Sequence, residues 1–427
     1  MATENLTAEQ SGETLPPLSR NRDFALLWSG QAVSSVGNQM SAIAYPLLVL
    51  LVTGSATRAG LVGSAELIAM LAALLPAGVT ADSRPRRSIM VVSSLIQSAA
   101  LGSVAVAIAV HHVYLAHLAV AGAVEGAASA YYLGASRGAV RRIVHPKQLS
   151  LALSRTQARD QAAALAGPPA GGALFGLSRF LPFALDAVSF GVIALAAALV
   201  RGDLDPAPQG STSQGSRSPG GGEPVLRRVT RGIRHVAGDR YLRTVATWSA
   251  LINAISAGMM LTFIVLARSR GASPAQIGAI SAAFAAGGIA GALGSPRLIK
   301  RYSGRALILV ASWVFAGCAA GMALVPTAWP IGVFGALCLF SLIPTNVILL
   351  TRAYQMTAHD LQGQVVNAMA LVGSGLTWLA PTVFGALADR FSPADAAMVG
   401  AGLYAATAVW MHSRLVLRQL DVPLPLT

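Results

Sequence analysis

Charged side chains are scarce in this chain. Only 11% of its 427 residues are Asp, Glu, Lys or Arg, whereas a soluble domain carries roughly a quarter. Hydrophobic residues make up 54%, and they come in long blocks rather than at the spaced positions of a core helix. These figures exclude a soluble globular enzyme or binding domain, and they predict an integral membrane protein.

Residues typical of metal, disulfide and nucleotide chemistry are also few. Both cysteines, Cys318 and Cys338, fall in apolar blocks, which favours small packing side chains over a disulfide or a metal site. The histidines form no cluster with metal-ligand spacing. There is no Gly-x-x-x-x-Gly-Lys-Ser/Thr loop, and the only lysines are Lys147 and Lys300, so ATP hydrolysis is not expected. We therefore expect no enzyme, no catalytic residues, no cofactor and no metal.

The apolar blocks predict an all-α polytopic fold with twelve membrane-spanning helices in two bundles of six. A span needs about 20 mostly apolar residues. The blocks of this kind are residues 24–52, 57–79, 89–110, 113–136, 151–177, 180–200, 241–267, 275–296, 306–326, 329–352, 364–387 and 395–416.

A Gly-, Ser- and Pro-rich segment, residues 202–225, divides the spans six and six and has the composition of a flexible linker. Four apolar residues after it share one helical face: Leu226, Val229, Ile233 and Val236. Four arginines lie off that face: Arg227, Arg228, Arg231 and Arg234. The pattern predicts a basic amphipathic helix on the inner leaflet, or else a solvated loop helix. The expected units are a tail (1–23), a bundle (24–201), the linker (202–240), a bundle (241–417) and a tail (418–427).

The net charge of +14 reports topology rather than nucleic-acid binding. With the N-terminus inside, the cytoplasmic segments hold 26 of the 31 Lys and Arg residues. The other five are Arg58, Arg179, Arg268, Arg270 and Arg390. This asymmetry predicts cytoplasmic N- and C-termini in the inner (plasma) membrane. The polar residues 1–20 predict no cleavable signal peptide.

Three segments of the first half recur in the same order in the second. The pairs are residues 54–60 with 271–278, 78–87 with 291–305, and 168–172 with 381–385. A duplicated six-helix unit explains these matches. Such repeats are typical of carriers whose halves rock around a site near the membrane midplane.

A charged segment between the second and third spans, Gly78-Val-Thr-Ala-Asp82-Ser-Arg84-Pro-Arg86-Arg87, predicts a tight hairpin at the membrane surface. It resembles the Gly-x-x-x-Asp-Arg-x-x-Arg-Arg/Lys loop of the major facilitator superfamily. The resemblance implies an inner gate. Asp82 would face a helix N-terminus, and Arg86 and Arg87 would bond acids or carbonyls across the gate. Ser83 stands where the family has arginine, a departure that Arg84 can offset. Alternatively, the arginines only anchor topology.

A second motif, Gly167-Pro168-Pro-Ala-Gly171-Gly172, lies in the fifth span. It resembles the Gly-Pro-x-x-Gly-Gly motif of the superfamily's drug-exporting branch, which includes macrolide, siderophore (enterobactin-exporter-like) and multidrug efflux proteins. Residues 158–169 and 182–190 resemble actinobacterial members of that branch. Small residues let helices approach closely and Pro168 can kink its helix, so helix packing and a direct role in exchange both stay open.

Two acids lie near the middle of predicted spans, Glu66 in the second and Glu125 in the fourth. A charge at the bilayer centre costs at least ~2.5 kcal/mol. A carboxyl that binds a proton in one state and releases it in another can couple a proton gradient to transport. The alternative is a protonated side chain that bonds a neighbouring helix.

At two positions the chain departs from the family pattern, and both departures leave Glu66 and Glu125 as the main candidates for proton coupling. Residues 125–130 resemble the end of the family's helix-four motif, but Gly122 replaces its arginine. Asn38 stands where relatives often carry aspartate. If protons are used, Glu66 and Glu125 must therefore do more of the work.

Seven further polar residues are candidates for a substrate cavity, although each could instead bond another helix: Asn38, Gln39, Tyr45, Tyr131, Asn253, Asn346 and Asn367. We interpret two other acids as structural. Asp160 is expected to pair with Arg137 or Arg141, and Asp186 lies early in the sixth span.

The resemblance implies a monomeric secondary transporter. We expect it to export small amphipathic molecules, such as a drug, antibiotic, siderophore or other secondary metabolite, in exchange for protons. Its partners would be the cargo, protons and the lipid bilayer, with no nucleic acid. An uptake or lipid-moving carrier on the same fold is the alternative, and a non-transporting sensor or scaffold is the least favoured interpretation.

Overall fold

The computed structural model describes residues 17–204, 225–357 and 361–413. Within them it has fourteen α-helices, two short 3-10 helices (Leu18–Arg20 and Pro146–Gln148) and no strand. The first half contains α1 (Arg22–Thr53), α2 (Ala56–Ser83), α3 (Arg86–Ala109), α4 (Leu115–Ile143), α5 (Leu149–Leu177) and α6 (Leu181–Leu199). After α7 (Val225–Gly238), the second half contains α8 (Arg240–Ser269), α9 (Pro274–Arg301), α10 (Gly304–Leu324), α11 (Trp329–Met356), α12 (Gln362–Ser374), α13 (Ala380–Arg390) and α14 (Pro393–His412).

The all-helical fold class is confirmed for these residues. Eight of the described helices are long and apolar enough to cross a membrane, namely α1, α2, α3, α6, α8, α9, α10 and α11. The remaining apolar blocks form α4, α5, α14 and the pair α12–α13. The predicted span 364–387 is two helices rather than one, because the chain turns at residues 375–379.

The linker and tails are only partly described. Residues 1–16, 205–224 and 414–427 lie outside the described part. The helix expected in the linker is α7, and it packs against α12. Its Gly232 lies against the Gln364 carbonyl of α12. Arg227 and Arg234, two of the four arginines of this helix, are exposed.

The expected charged hairpin is shorter than the sequence indicated. Gly78 and Asp82 belong to α2, which continues to Ser83 before α3 begins at Arg86. The Ser83 hydroxyl donates to the Val79 carbonyl at 2.9 Å and so continues the helical turn. Pro85 disfavours helical backbone at the residue before it, and Arg84 is extended, with φ −125° and ψ 159°.

The corresponding turns of the two halves use the same local chemistry. Gly54 follows α1 with φ +66°, and Gly271 follows α8 with φ +76°. Glycine adopts this left-handed backbone without steric cost. A serine then caps the next helix in each half: the Ser55 hydroxyl accepts from the Arg58 amide, and the Ser273 hydroxyl accepts from the Gln276 amide. The first repeated segment therefore encodes one helix-turn-helix corner twice.

The two halves meet along two seams, α2 against α13 and α5 against α9. In the first seam, a Cβ at Gly60 would meet the Pro381 carbonyl, and a Cβ at Gly385 would meet the Ala56 carbonyl. Each helix therefore presents a glycine to the backbone of the other. Close helix approach of this kind requires small residues.

The second seam repeats the arrangement. A Cβ at Gly172 would meet the Pro274 carbonyl, and a Cβ at Gly278 would meet the Pro168 carbonyl. Two of the repeated segments thus form the contacts between the halves. We call this end of the molecule, defined by residues 54–60, 168–172, 271–278 and 381–389, the closed end.

A shared apolar core supports the closed end. The largest buried cluster combines Leu48 and Phe183 of the first half with Phe263 and Ile277 of the second. Each of these side chains is at most 1% exposed. Burial of this surface favours the joined arrangement.

Gly172→Val tests the α5–α9 seam. The valine side chain would strike the Pro274 carbonyl, and overpacking of this kind costs about 1–3 kcal/mol. We expect a lower unfolding temperature for the purified protein. Gly176→Val is the matched control, because it lies one turn along α5, where a Cβ would have nothing within 4 Å. Equal unfolding temperatures for the two variants would contradict the tight seam.

Candidate functional site

A cavity of about 390 Å³ lies inside the first half. Its walls come from α1, α2 and α4, with one residue each from α3 (Leu101) and α6 (Asp186). Both mid-span acids, Glu66 and Glu125, line it, as do Asn38 and Tyr45. The structure therefore brings together two acids that are 59 residues apart in the sequence (125 − 66).

Glycines of α4 allow the two acid-bearing helices to approach. A Cβ at Gly126 would meet the Glu66 backbone carbonyl. A Cβ at Gly122 would lie 3.6 Å from the Tyr45 hydroxyl and 3.8 Å from the Glu66 Cβ. That hydroxyl donates to the Leu118 carbonyl at 2.7 Å. The space that the family's arginine would occupy at position 122 is thus bordered closely by Tyr45 and Glu66.

Asp186 supplies a third carboxyl to the cavity. It is 0% exposed and lines the same cavity as the two glutamates. It accepts hydrogen bonds from the Ser41 hydroxyl at 2.6 Å and the Ser189 hydroxyl at 3.0 Å. Its place early in the sixth span had indicated a structural role. Because it is buried in a helix long and apolar enough to cross a membrane, an ionised Asp186 also carries a cost there.

Three acids line this cavity: Glu66, Glu125 and Asp186. No lysine, arginine or histidine is among its described lining residues. An ionised carboxylate that is removed from water without a charged partner is unfavourable. Bound protons or a cation that enters the cavity would neutralise these groups.

The other polar candidates lie elsewhere. Gln39 packs against Gly167 where α1 meets α5, and Tyr131 borders a small apolar cluster. The Asn253 side chain donates to the Gly373 carbonyl at 3.2 Å, so it caps the end of α12. Asn346 and Asn367 are exposed on α11 and α12. None of the five lines the acidic cavity, and their contact with cargo stays a prediction.

The second half contains a cavity of different character, about 190 Å³ in volume. Its lining is rich in methionine and aromatic side chains: Met259, Met260, Met322, Phe263, Phe284, Phe315 and Tyr404. The Phe263 and Phe284 ring centroids are 5.0 Å apart, and those of Phe315 and Tyr404 are 5.1 Å apart. Cys338 also lines this cavity and Cys318 is buried, which fits packing roles for both cysteines.

The residues expected at the inner gate bond within the first half. Arg86 donates to the Ala81 carbonyl at 3.3 Å and to the Leu204 carbonyl at 3.2 Å. Arg87 donates to the Gly202 carbonyl at 3.0 Å. These bonds tie the α2–α3 corner to the segment after α6. Arg84 is exposed, Gly78 has open space beside it, and the Asp82 side chain lies outside the described part.

Asp160 pairs differently from the expectation. Its carboxylate accepts from the neighbouring Arg159 guanidinium, with distances of 3.0 and 2.8 Å. The Ser35 hydroxyl also donates to it at 3.3 Å. The predicted pairing with Arg137 or Arg141 was therefore wrong, because Arg159 is adjacent and reaches both Asp160 and Gln31.

At the closed end, Asp389 of α13 binds the start of α2. It accepts from the Ser55 hydroxyl at 2.6 Å, the Thr57 hydroxyl at 2.7 Å, the Ala56 amide at 2.8 Å and the Thr57 amide at 2.9 Å. A carboxylate in this position satisfies free helical N–H groups and opposes the helix dipole. No sequence pattern had singled out Asp389, which lies four residues beyond the repeated segment that ends at Gly385.

Two similar helical halves, joined along paired seams and holding a buried acidic cavity, define a polytopic membrane carrier. The chain belongs to the major facilitator superfamily, whose sequence profile matches residues 27–381.

Two curated relatives of this chain are multidrug efflux pumps. The multidrug efflux pump Tap of Mycobacterium tuberculosis is 27% identical over 392 residues, covering 87% of this chain and 88% of the pump. Tap of Mycolicibacterium fortuitum is 27% identical over 378 residues, covering 86% of this chain and 88% of the pump. The expected similarity to actinobacterial exporters of the superfamily is thereby confirmed.

Solved structures support the fold. A bacterial homologue of the human lysosomal transporter Spinster, inward-facing and unoccupied, matches with a TM-score of 0.71 at 14% identity, over 96% of this chain and all of that one (100%). The nucleoside transporter NupG matches with a TM-score of 0.72 at 12% identity, over 91% of this chain and 98% of that one.

Asp389→Ala tests the link at the closed end. The assay uses a variant without Cys318 and Cys338 in which Ala59, 5% exposed, is replaced by cysteine. Loss of the four hydrogen bonds of Asp389 should make this cysteine more reactive toward a membrane-impermeant maleimide. We expect labelling to rise several-fold. Asp395→Ala is the control, because Asp395 bonds Ser392 within its own half. Equal labelling in both variants would argue against a structural role for Asp389.

Proposed function

We propose that this protein is a secondary active transporter that exports small amphipathic molecules in exchange for protons. Similarity to a multidrug efflux pump over 87% of the chain supports export. The observation that carries the proton coupling is the convergence of Glu66, Glu125 and Asp186 on one cavity without a described basic lining residue.

The proposal includes twelve spans in two bundles of six. The eight long apolar helices would be completed by α4, α5, α14 and the broken pair α12–α13. The bias of Lys and Arg along the sequence supports cytoplasmic termini, with α7 on the cytoplasmic side. In this orientation the closed end faces outward, and Arg84, Arg86 and Arg87 face the cytoplasm. The molecule would act as a monomer in the plasma membrane.

Alternating access would proceed by opening of the closed end. The two glycine seams and the Asp389 contacts must separate for the halves to rock outward, while the opposite end closes. Protons and a positively charged group of the cargo would exchange because both neutralise the same carboxyls, so binding of one weakens binding of the other. Protonation from outside would release the cargo and allow the carrier to return.

The methionine- and phenylalanine-lined cavity of the second half supports an amphipathic cargo. Its volume of about 190 Å³ is slightly larger than a protein cavity of roughly 150 Å³ that binds benzene. One aromatic ring or a short alkyl group of the cargo would fit there. Methionine side chains adapt to irregular ligand shapes, which suits a transporter with several substrates.

Glu66→Gln together with Glu125→Gln tests the coupling. The amides keep the side-chain size but do not gain or release a proton as the pH changes. Uphill transport driven by a pH gradient in proteoliposomes should therefore be abolished. Exchange of labelled for unlabelled substrate without a gradient should persist. Asp395→Asn, an acid outside the cavity, serves as the control. Unchanged pH-driven transport with both glutamates replaced would defeat the proposal.

Asp186→Asn tests the third carboxyl. The asparagine side chain can accept from one of the two serine hydroxyls through its oxygen and donate to the other through its NH2 group, so the protein should fold and keep its unfolding temperature. We expect pH-driven transport to fall several-fold, with fewer protons exchanged per substrate molecule. If only the unfolding temperature changes and the stoichiometry is preserved, Asp186 is purely structural.

A lipid-moving or uptake carrier is the second candidate, because the apolar cavity of the second half could also hold part of an acyl chain. Proteoliposomes with an imposed pH gradient distinguish these functions by the direction in which a labelled drug or lipid moves. Ligand binding without any translocation would instead indicate a sensor or scaffold.

A further inference from the structure

A polar pocket lies away from both cavities, where α8 begins. It has a volume of about 410 Å³. Its lining residues are Arg240, Arg243, Thr244, Thr247 and Leu251 of α8 and Trp410 of α14. Neither the acidic cavity nor the seams between the halves use these residues.

The α8 residues form a single stripe. Their spacing of three, one, three and four places them on one helical face. From the N-terminus of α8 into the predicted span, the side chains of the stripe change from arginine through threonine to leucine. That order matches a phospholipid, which presents a charged headgroup, a polar glycerol region and then an acyl chain.

The described lining of the pocket contains two arginines and no acid, so the charge of these residues is positive. Arg240 and Arg243 are both exposed. Arg243 also donates to the Ala237 carbonyl of α7 at 2.7 Å, which fixes its guanidinium. The adjacent acid, Asp239, is engaged in capping α8, where it accepts from the Leu242 amide at 2.8 Å.

The hydroxyl and aromatic groups also suit a lipid. Thr244 and Thr247 donate to backbone carbonyls one turn back, at 2.8 and 2.9 Å, so their hydroxyls form a polar layer that is already satisfied. Trp410 of α14 is half-buried and lines the pocket together with Leu251 of α8. Tryptophan favours the membrane interface, where an apolar ring meets a polar layer.

We propose that this pocket, which we call the α8 stripe pocket, binds an anionic phospholipid. Arg240 and Arg243 hold the phosphate, and the acyl chain follows Leu251 and Trp410. Basic pockets between helices at a membrane surface bind anionic headgroups in this manner. Because Arg243 also bonds α7, the bound lipid anchors the junction between the linker helix and the second half.

Native mass spectrometry of the full-length protein tests the site. Wild type should retain phosphatidylglycerol at least several-fold better than phosphatidylcholine with the same chains. Arg240→Gln with Arg243→Gln should weaken retention by about tenfold, since each arginine contributes to headgroup attraction. The control, Arg227→Gln with Arg234→Gln, removes the same charge from exposed positions on α7. Equal loss in both double variants would overturn the site in favour of general surface attraction.

Leu251→Gln separates a lipid from a free phosphate. It keeps both arginines but makes the acyl wall polar, so phosphatidylglycerol retention should fall while the preference over phosphatidylcholine remains. Unchanged retention in Leu251→Gln, or full displacement of the lipid by inorganic phosphate, would overturn the lipid assignment. Because retention is measured without transport, failure here is independent of whether the protein exports drugs.

Discussion

Backbone-to-backbone contact at glycine is the constraint on which this structure depends. Gly60 and Gly385 join one seam, Gly172 and Gly278 the other, and each places a backbone carbonyl where any side chain would stand. Such contacts tolerate little change in the distance between the helices, so the two halves are either closely packed or separated. A carrier that alternates between two arrangements benefits from an interface of this kind, because packed surfaces switch between discrete states rather than deform continuously.

Close packing at glycine also positions the acids of the cavity in the first half. Gly126 lets α4 lie against the Glu66 backbone, and Gly122 leaves space beside Tyr45. With larger residues there, the two glutamates would be held on helices too far apart to share a cavity. The departure of Gly122 from the family's arginine therefore accompanies a different arrangement of charge: three carboxyls, with no arginine among the described residues that line their cavity. In the proposed mechanism, neutralisation depends on protons or cargo, which would tie transport to proton concentration more directly than a fixed ion pair would.

The sequence predicted the helical class, the repeat and the two glutamates because each leaves a local signal. Apolar blocks mark helices, matched Gly and Pro positions mark the duplicated corners, and an acid inside an apolar block marks an unusual cost. Asp389 could not be found this way, since its partners at Ser55 and Thr57 are more than 330 positions away. Nor could the turn at residues 375–379, because Asn253 of another helix caps the helix that precedes it. These features depend on tertiary contact.

The two halves share their helix-turn-helix corners but differ in what they enclose. One surrounds three carboxyls, the other methionine and aromatic rings. A rocking mechanism requires similar halves for symmetric motion, but it places no such demand on their interiors. In the proposed mechanism, separation of the carboxyls from the apolar surface lets the apolar part of the cargo change in shape without altering the carboxyls. A positively charged group of the cargo would compete with protons directly, whereas the apolar part, held by the other half, would respond to protonation only through the glycine contacts and the Asp389 link of the seams.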